Sequence, residues 1–189
     1  MIVALRRMLG VTHECFASPL NRYFANYCSA FPDTDRFFGS HGPFQQFWPN
    51  EGSFEANPPF DQASVAACFD HIGALMRAAS GPLSFVVVIP DMDMSGKLRS
   101  HYSNVRPYQR HTVVAKVGEH KYLYGLQHRR TGEHYSSGYW EPEKASRIYF
   151  FQNDEGAQRW QATEKVAEYL LKVFDVESWE GEDFELEFE

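Results

Sequence analysis

The run Leu83-Ser84-Phe85-Val86-Val87-Val88-Ile89 constrains the fold more than any other segment. It is apolar without the alternation that would leave one face to water, so it reads as a strand covered on both faces, the pattern of a buried parallel strand. Gly81-Pro82 stops the element before it. There, residues 62–79 place Val65, Phe69, Ile72 and Met76 at three- and four-residue spacing, which predicts a helix. Upstream, the pattern gives a helix over 2–9 ending at Gly10, a strand over 11–17, and a helix from Pro19 to about Cys28. Residues 31–53 read as loop with one or two short strands, and Phe54-Glu55-Ala56 as a strand end. Downstream, 91–110 reads as a polar, Arg-containing loop, with strands over 111–117, 121–127 and 146–151. A helix spans Glu155–Phe174, its apolar face clearest over 162–174. Strand–helix alternation around a central apolar strand predicts an α/β fold, a three-layer sandwich with a mostly parallel sheet. In such sheets ligands sit beyond the carboxyl ends of the strands.

The chain has 189 residues, and 43% hydrophobic with 16% aromatic residues gives it a bulky single core. Its net charge of −7 is unevenly spread. Residues 175–189 hold eight of the 25 acids and no base, so residues 1–174 carry 17 acids against 18 Lys and Arg. We therefore expect a folded core over 1–174 and a flexible acidic tail over 175–189. Between Lys97 and Arg130 eight basic residues face one acid, Glu119, with Tyr102, Tyr108, Tyr122 and Tyr124 interleaved. That composition suits a phosphate backbone with stacked bases; a solvated loop beside a charged sheet edge is the plainer alternative. Cys15, Cys28 and Cys68 have no metal-ligand spacing, and the eight histidines form no recognisable ligand pair. The cysteines read as reduced, buried thiols of a nuclear or cytoplasmic protein, and no metal site is expected. The start, broken by Arg6 and Arg7, does not read as a signal peptide, and no stretch is apolar enough for a membrane span.

The chemistry is concentrated in Asn57-Pro58-Pro59-Phe60. Two prolines bar helix and predict a rigid turn leaving a strand. In such a turn the Asn57 side-chain oxygen and the Pro58 carbonyl can both accept from one NH₂ group. Phe60 offers a flat face for a stacked base, worth roughly 1–3 kcal/mol. This is a holder for an exocyclic amine, and the usual reaction of a held amine is methyl transfer, driven by positioning and electrostatic preorganisation. A Pro-rich surface turn with a packing Phe is the bland reading of the same four residues.

Longer runs decide between them. Glu14-Cys15-Phe16-Ala17-Ser18-Pro19-Leu20-Asn21, Tyr27-Cys28-Ser29-Ala30-Phe31-Pro32-Asp33-Thr34-Asp35, Phe38-Gly39-Ser40-His41-Gly42-Pro43 and Gly52-Ser53-Phe54-Glu55-Ala56-Asn57-Pro58-Pro59-Phe60 closely resemble the phosphorylated-CTD-interacting-factor family. The likeness continues more loosely through Pro82–Phe85, Gln127-His128 and Phe151-Gln152-Asn153-Asp154 to Trp160, covering about residues 8–161 in order. These are cap-specific adenosine N6-methyltransferases of eukaryotes. The resemblance implies a Rossmann-like methyltransferase core that uses S-adenosylmethionine and acts on the adenosine beside the cap of messenger RNA. Carried over, Asn57, Pro58, Pro59 and Phe60 match the catalytic motif, and Phe16, Ala17, Ser18 and Asn21 take the place of the first cofactor-binding loop. Chemistry more than the match assigns the ribose hydroxyls to an acid among Asp33 and Asp35. Lys97, Arg99, Arg106, Arg110 and His128 are the candidates for holding RNA. The chain lacks the glycine-rich loop common in nucleotide-binding α/β folds, as the family does. Neither the family's WW domain nor its upstream helical region is expected in this sequence, and a protein partner is expected to supply that surface. Two rivals stay open: a DNA adenine or other amine N-methyltransferase, and a non-catalytic module that keeps the fold and binds RNA or protein.

Overall fold

The computed structural model describes residues 1–123 and 139–174. A six-stranded sheet is built from β1 (His13–Glu14), β2 (Asn26–Tyr27), β3 (Gly52–Ala56), β4 (Leu83–Pro90), β5 (Gln109–Ala115) and β8 (Ser146–Gln152), in the order β2-β1-β3-β4-β8-β5. β6 (Tyr122–Leu123) and β7 (Tyr139–Trp140) form a separate antiparallel pair. β2, β1, β3 and β4 are parallel, with His13 opposite Phe54 and Phe54 opposite Phe85. β8 alone is reversed, and because β4 and β5 are both antiparallel to it, β5 runs with the other four.

The alternation of side chains along β4 explains the apolar run. Phe85, Val87 and Ile89 enter one core with Val65, Phe69, Ile72 and Met76 of α3 (Gln62–Ala78) and Val105 of α4 (Arg99–Val105). Val86 and Val88 enter a second core with Leu5 and Leu9 of α1 (Ile2–Leu9) and Val166 and Leu170 of α6 (Glu164–Phe174). Both faces of the sheet are therefore covered, giving an α/β architecture of three layers compatible with a Rossmann-like fold. Gly10 ends α1 in the left-handed region at φ 64°, as its position predicts, and a Cβ there would lie 2.4 Å from the Trp160 indole nitrogen. No helix among the described residues is long and apolar enough to cross a membrane.

Three segments depart from the expectations above. No helix runs from Pro19 to Cys28. Instead the Ser18 amide and hydroxyl donate to Asn21 Oδ1 at 2.7 and 3.0 Å, and the Glu14 carboxylate accepts from the Tyr23 and Phe24 amides at 2.7 and 2.9 Å. These side chains satisfy backbone groups that a helix would need, and the chain turns into β2. Residues 91–110 are not all loop: α4 packs on α3, where Asp70 accepts from His101 Nδ1 and Asn104 Nδ2, both at 2.8 Å. Gly73 permits that approach, since a Cβ there would meet the Asn104 carbonyl at 2.9 Å. The long C-terminal helix is two, α5 (Asp154–Arg159) and α6, because the chain breaks at Trp160 to lay its indole against Gly10. Thr163 restarts it, its hydroxyl accepting from the Val166 amide at 3.3 Å. Of the strand expected over 121–127, Tyr122–Leu123 is β6, and 124–127 lie outside the described residues.

Candidate active site

β1 connects outward to β2, whereas β3 returns to the other side of β1. This reversal leaves a gap beyond the carboxyl ends of β1 and β3, where doubly wound sheets bind ligands. A crevice of about 720 Å³ lies there. One wall is the turn after β3, Asn57 to Phe60, with Ser64 behind it. The turn is pinned at both ends. Ala56 closes β3 against β4, and Asp61 caps α3, its carboxylate accepting the Ser64 amide at 2.9 Å. Pro58 is buried and Phe60 half-buried. The Asn57 side-chain oxygen is buried and has no hydrogen-bond partner among the described residues. An orphaned acceptor of this kind costs free energy unless something donates to it, so it marks a place where a donor belongs.

The facing wall follows β1 and β2. Parallel pairing continues past the strands, with the Cys28 amide donating to the Glu14 carbonyl at 2.8 Å and the Ala17 amide to the Cys28 carbonyl at 2.9 Å. Cys15, Phe16, Ala17, Ser18 and Asn21 come from the first turn, and Cys28, Ser29 and Ala30 from the second. Pro43, Phe44 and Gln45 close the side, with Phe16 edge-on to Phe44 at 5.2 Å. Burial raises the thiol of Cys28 to about 12 and that of Cys15 well above its usual value, so both are neutral wall residues rather than nucleophiles. His13, behind this wall, stacks on Phe47 at 4.6 Å and meets Cys28 Sγ at 3.3 Å. Its pKa is lowered to about 4 by burial and by His41. It is a packing histidine.

Glu14 and Glu55 are register partners on neighbouring strands, both buried, and Glu55 is two residues before Asn57. Burial, then the field of Glu14, pushes Glu55 up to about 8, so it is mostly protonated at neutral pH. Burial also raises Glu14, opposed by the Phe24 and Tyr23 amides that its carboxylate accepts.

Of the residues singled out from sequence, Asn57, Pro58, Pro59, Phe60, Phe16, Ala17, Ser18 and Asn21 all line this one crevice. Asp33 and Asp35 are not in its wall. Asp33 is exposed on the short helix α2 (Pro32–Asp35), and Asp35 is buried with Oδ1 accepting from the Thr34 hydroxyl at 3.0 Å. The basic residues are divided. Lys97 is exposed in the segment that leaves the carboxyl end of β4, and Arg99 is exposed at the start of α4. Because β5 runs with β4, α4 must carry the chain back to the amino edge of the sheet. There Arg110 is tied to the Asp154 carboxylate and to the Gln152 carbonyl, and Arg106 lies just before it. His128 lies outside the described residues. Sequence reasoning missed one wall residue of note: Tyr122, which meets Phe60 at 5.6 Å between ring centroids. Only its place in an aromatic, basic stretch hinted at it.

The family model for the phosphorylated CTD interacting factor 1 WW domain matches residues 1–125, which hold α1 to β6 and every described wall residue of the crevice. A human protein named mRNA (2'-O-methyladenosine-N(6)-)-methyltransferase is 41% identical over 173 residues, 90% of this chain and 24% of its own. A mouse protein of the same name is 39% identical over 172 residues, again 90% of this chain and 24% of its own. The chain thus spans about a quarter of the length of the curated relatives it matches. With more than half its residues matched, and the matched part carrying the crevice, the chain belongs to the phosphorylated CTD interacting factor 1 family.

Proposed function

We propose that this chain is a Rossmann-like methyltransferase core that transfers a methyl group from S-adenosylmethionine to N6 of an adenosine in RNA, the adenosine beside the messenger RNA cap being the intended target. The observation that carries this reading is the buried, unpartnered Asn57 oxygen in the crevice wall. Adenine's N6 amine has two N–H donors, and Asn57 Oδ1 with the Pro58 carbonyl would take both. Held so, the nitrogen is favoured in a more tetrahedral form with its lone pair available, and Phe60 stacks on the ring. The crevice volume lies in the range of roughly 300–1,000 Å³ usual for small-molecule sites. Its wall combines aromatic faces with the hydroxyl oxygens of Ser18 and Ser29 and the Gln45 amide, polar groups fitting a nucleoside with an amino-acid arm.

When bound, S-adenosylmethionine supplies an activated methyl group. Phe16, Ala17, Ser18 and Asn21 would hold its methionine part. Of the two acids considered for its ribose, Asp33 is the one exposed on α2, beyond the wall residue Ala30. Lys97 and Arg99 would grip the RNA backbone on the crevice side of the sheet. The names of the human and mouse relatives support N6 of a 2'-O-methyladenosine in messenger RNA as the target; the cap-adjacent position and a nuclear or cytoplasmic setting follow from the family resemblance. A protein partner contributing cap-binding surface belongs to the same proposal.

The test is transfer of radiolabelled methyl from S-adenosylmethionine to short RNAs beginning with adenosine, capped and uncapped, with the matched DNA strand alongside. Label on RNA that disappears in Asn57→Ala is the expected result. Label on DNA alone would replace the polymer, and no label with any acceptor would remove the enzymatic reading.

A further inference from the structure

Tyr122 reaches the crevice from β6, far from the motif in sequence, and is anchored by a directional hydrogen-bond chain. His120 Nδ1 lies 2.9 Å from the Lys116 carbonyl, which can only accept, so Nδ1 carries the proton. The His120 ring is almost fully buried, and burial lowers its pKa, so it is neutral and Nε2 is an acceptor. The Ser146 hydroxyl, 2.7 Å away, therefore donates to Nε2. That leaves the Ser146 oxygen to accept from the Tyr122 hydroxyl at 2.6 Å. The hydrogen bonds of the chain Tyr122–Ser146–His120–Lys116 thus run in one direction, and such networks specify one geometry.

The chain so fixed holds the Tyr122 ring against Phe60. The two rings meet at an interplanar angle of 61°, an edge-on contact whose preferred arrangement is directional. Ser146 opens β8 and pairs with Ala115 of β5 and Pro90 of β4, so the anchor rests on the sheet itself rather than on the motif's turn. We propose that Tyr122 is a positioning residue for the target base: held by Ser146 and His120, it sets the tilt of the Phe60 face on which an adenine of single-stranded RNA stacks. This rests on the function proposed above, and it assigns acceptor-base binding to a residue outside the Asn57–Phe60 motif.

The test is equilibrium binding by the full chain of two ligands measured separately: a short adenosine-initiated RNA by fluorescence anisotropy, and S-adenosylmethionine by calorimetry. Tyr122→Phe keeps the ring and removes the anchor; Ser146→Ala removes the anchor from the other side. Each is expected to weaken RNA roughly fivefold, as for residues sharing one contact network, while leaving the cofactor affinity unchanged. In a Phe60→Leu background neither change should have any further effect on RNA, because the platform through which they act is gone. Equal weakening of both ligands, or full additivity with Phe60→Leu, would overturn the proposal and leave Tyr122 a merely structural residue. A wild-type chain that binds both ligands while Tyr122→Phe binds RNA normally would overturn it alone. A wild-type chain that binds neither would remove the proposed function and this proposal with it.

Discussion

Two asparagines occupy equivalent places in this fold and are used in opposite ways. Asn57 is the first residue after β3, and Asn153 the first after β8. Asn153 is spent on the backbone: its Oδ1 accepts from the Leu83 amide at 2.9 Å and the Gly156 amide at 2.8 Å, and its Nδ2 donates to the Gly81 carbonyl at 2.8 Å. It caps α5 and locks the start of β4, where Gly156 comes so close that a Cβ would lie 2.2 Å from the Leu83 carbonyl. Asn57, by contrast, faces a crevice with its buried oxygen unmatched. A strand exit that serves the fold spends its side chain on the backbone; one that serves a ligand keeps an acceptor open at a cost in stability. Asp35 Oδ2, Ser53 Oγ and Gln152 Oε1 are also unpartnered among the described residues, but of the four residues only Asn57 lines the crevice.

Breaking each asparagine should produce mirrored results. Asn57→Ala is expected to reduce methyl transfer by roughly 10²–10³, as loss of a preorganised polar group does, with thermal stability unchanged or slightly raised. Asn153→Ala should leave transfer per folded molecule near wild type and cost about 2–4 kcal/mol in denaturant unfolding, since several backbone partners lose their bonds together. If both substitutions reduced activity and stability in the same proportion, the contrast would be lost. Phe60→Ala sharpens the ligand side. It should weaken RNA binding by roughly 5–150-fold, corresponding to about 1–3 kcal/mol of stacking, and spare cofactor binding.

The fold was legible where pattern and packing agree. The apolar run of β4 and the Val65–Phe69–Ile72–Met76 face of α3 are both found as expected, because burial on one or two faces leaves a period in the sequence. α4 left little pattern: only Leu98 and Val105 are fully buried along its line, and its hold on α3 is polar, through Asp70. The false helix after Pro19 failed because Glu14, a residue of the preceding strand, caps the amides of Tyr23 and Phe24 across a sequence gap that local propensity does not see. The site divides the same way. The two crevice turns each follow a strand and could be read locally, whereas Tyr122 joins the wall only through tertiary packing.

The basic stretch was legible as charge but not as a surface, and the sheet topology splits it. Lys97→Gln and Arg99→Gln, near the carboxyl edge, should each lower the salt slope of RNA binding by about 0.7, the value for one phosphate on a single strand. Arg110→Gln should leave that slope alone and lower stability modestly through its lost contact with Asp154. Equal slopes for all three variants would place RNA across both edges of the sheet.

A pH-dependent effect concerns Glu55. Its folded pKa of about 8 lies above its unfolded value, so between these the unfolded chain has released a proton that the folded chain retains. Stability from this group is therefore lost as pH rises from about 5 towards 8, by at most ~1.4 kcal/mol per pH unit. Glu55→Gln should flatten that slope in urea titrations across the same window, and an unaltered slope would mean that Glu55 ionises normally in the fold.

The central claim is that the Asn57 oxygen waits for an amine, and base analogues test it without requiring turnover. An RNA whose first base is adenine would be compared with the same RNA carrying purine, which lacks the N6 amine, against wild-type protein and Asn57→Ala. The account predicts that wild type prefers adenine by about fivefold or more, the worth of a hydrogen bond to an otherwise unmatched acceptor, and that Asn57→Ala binds the two RNAs alike. A preference that survives in Asn57→Ala, or that wild type never shows, would contradict it.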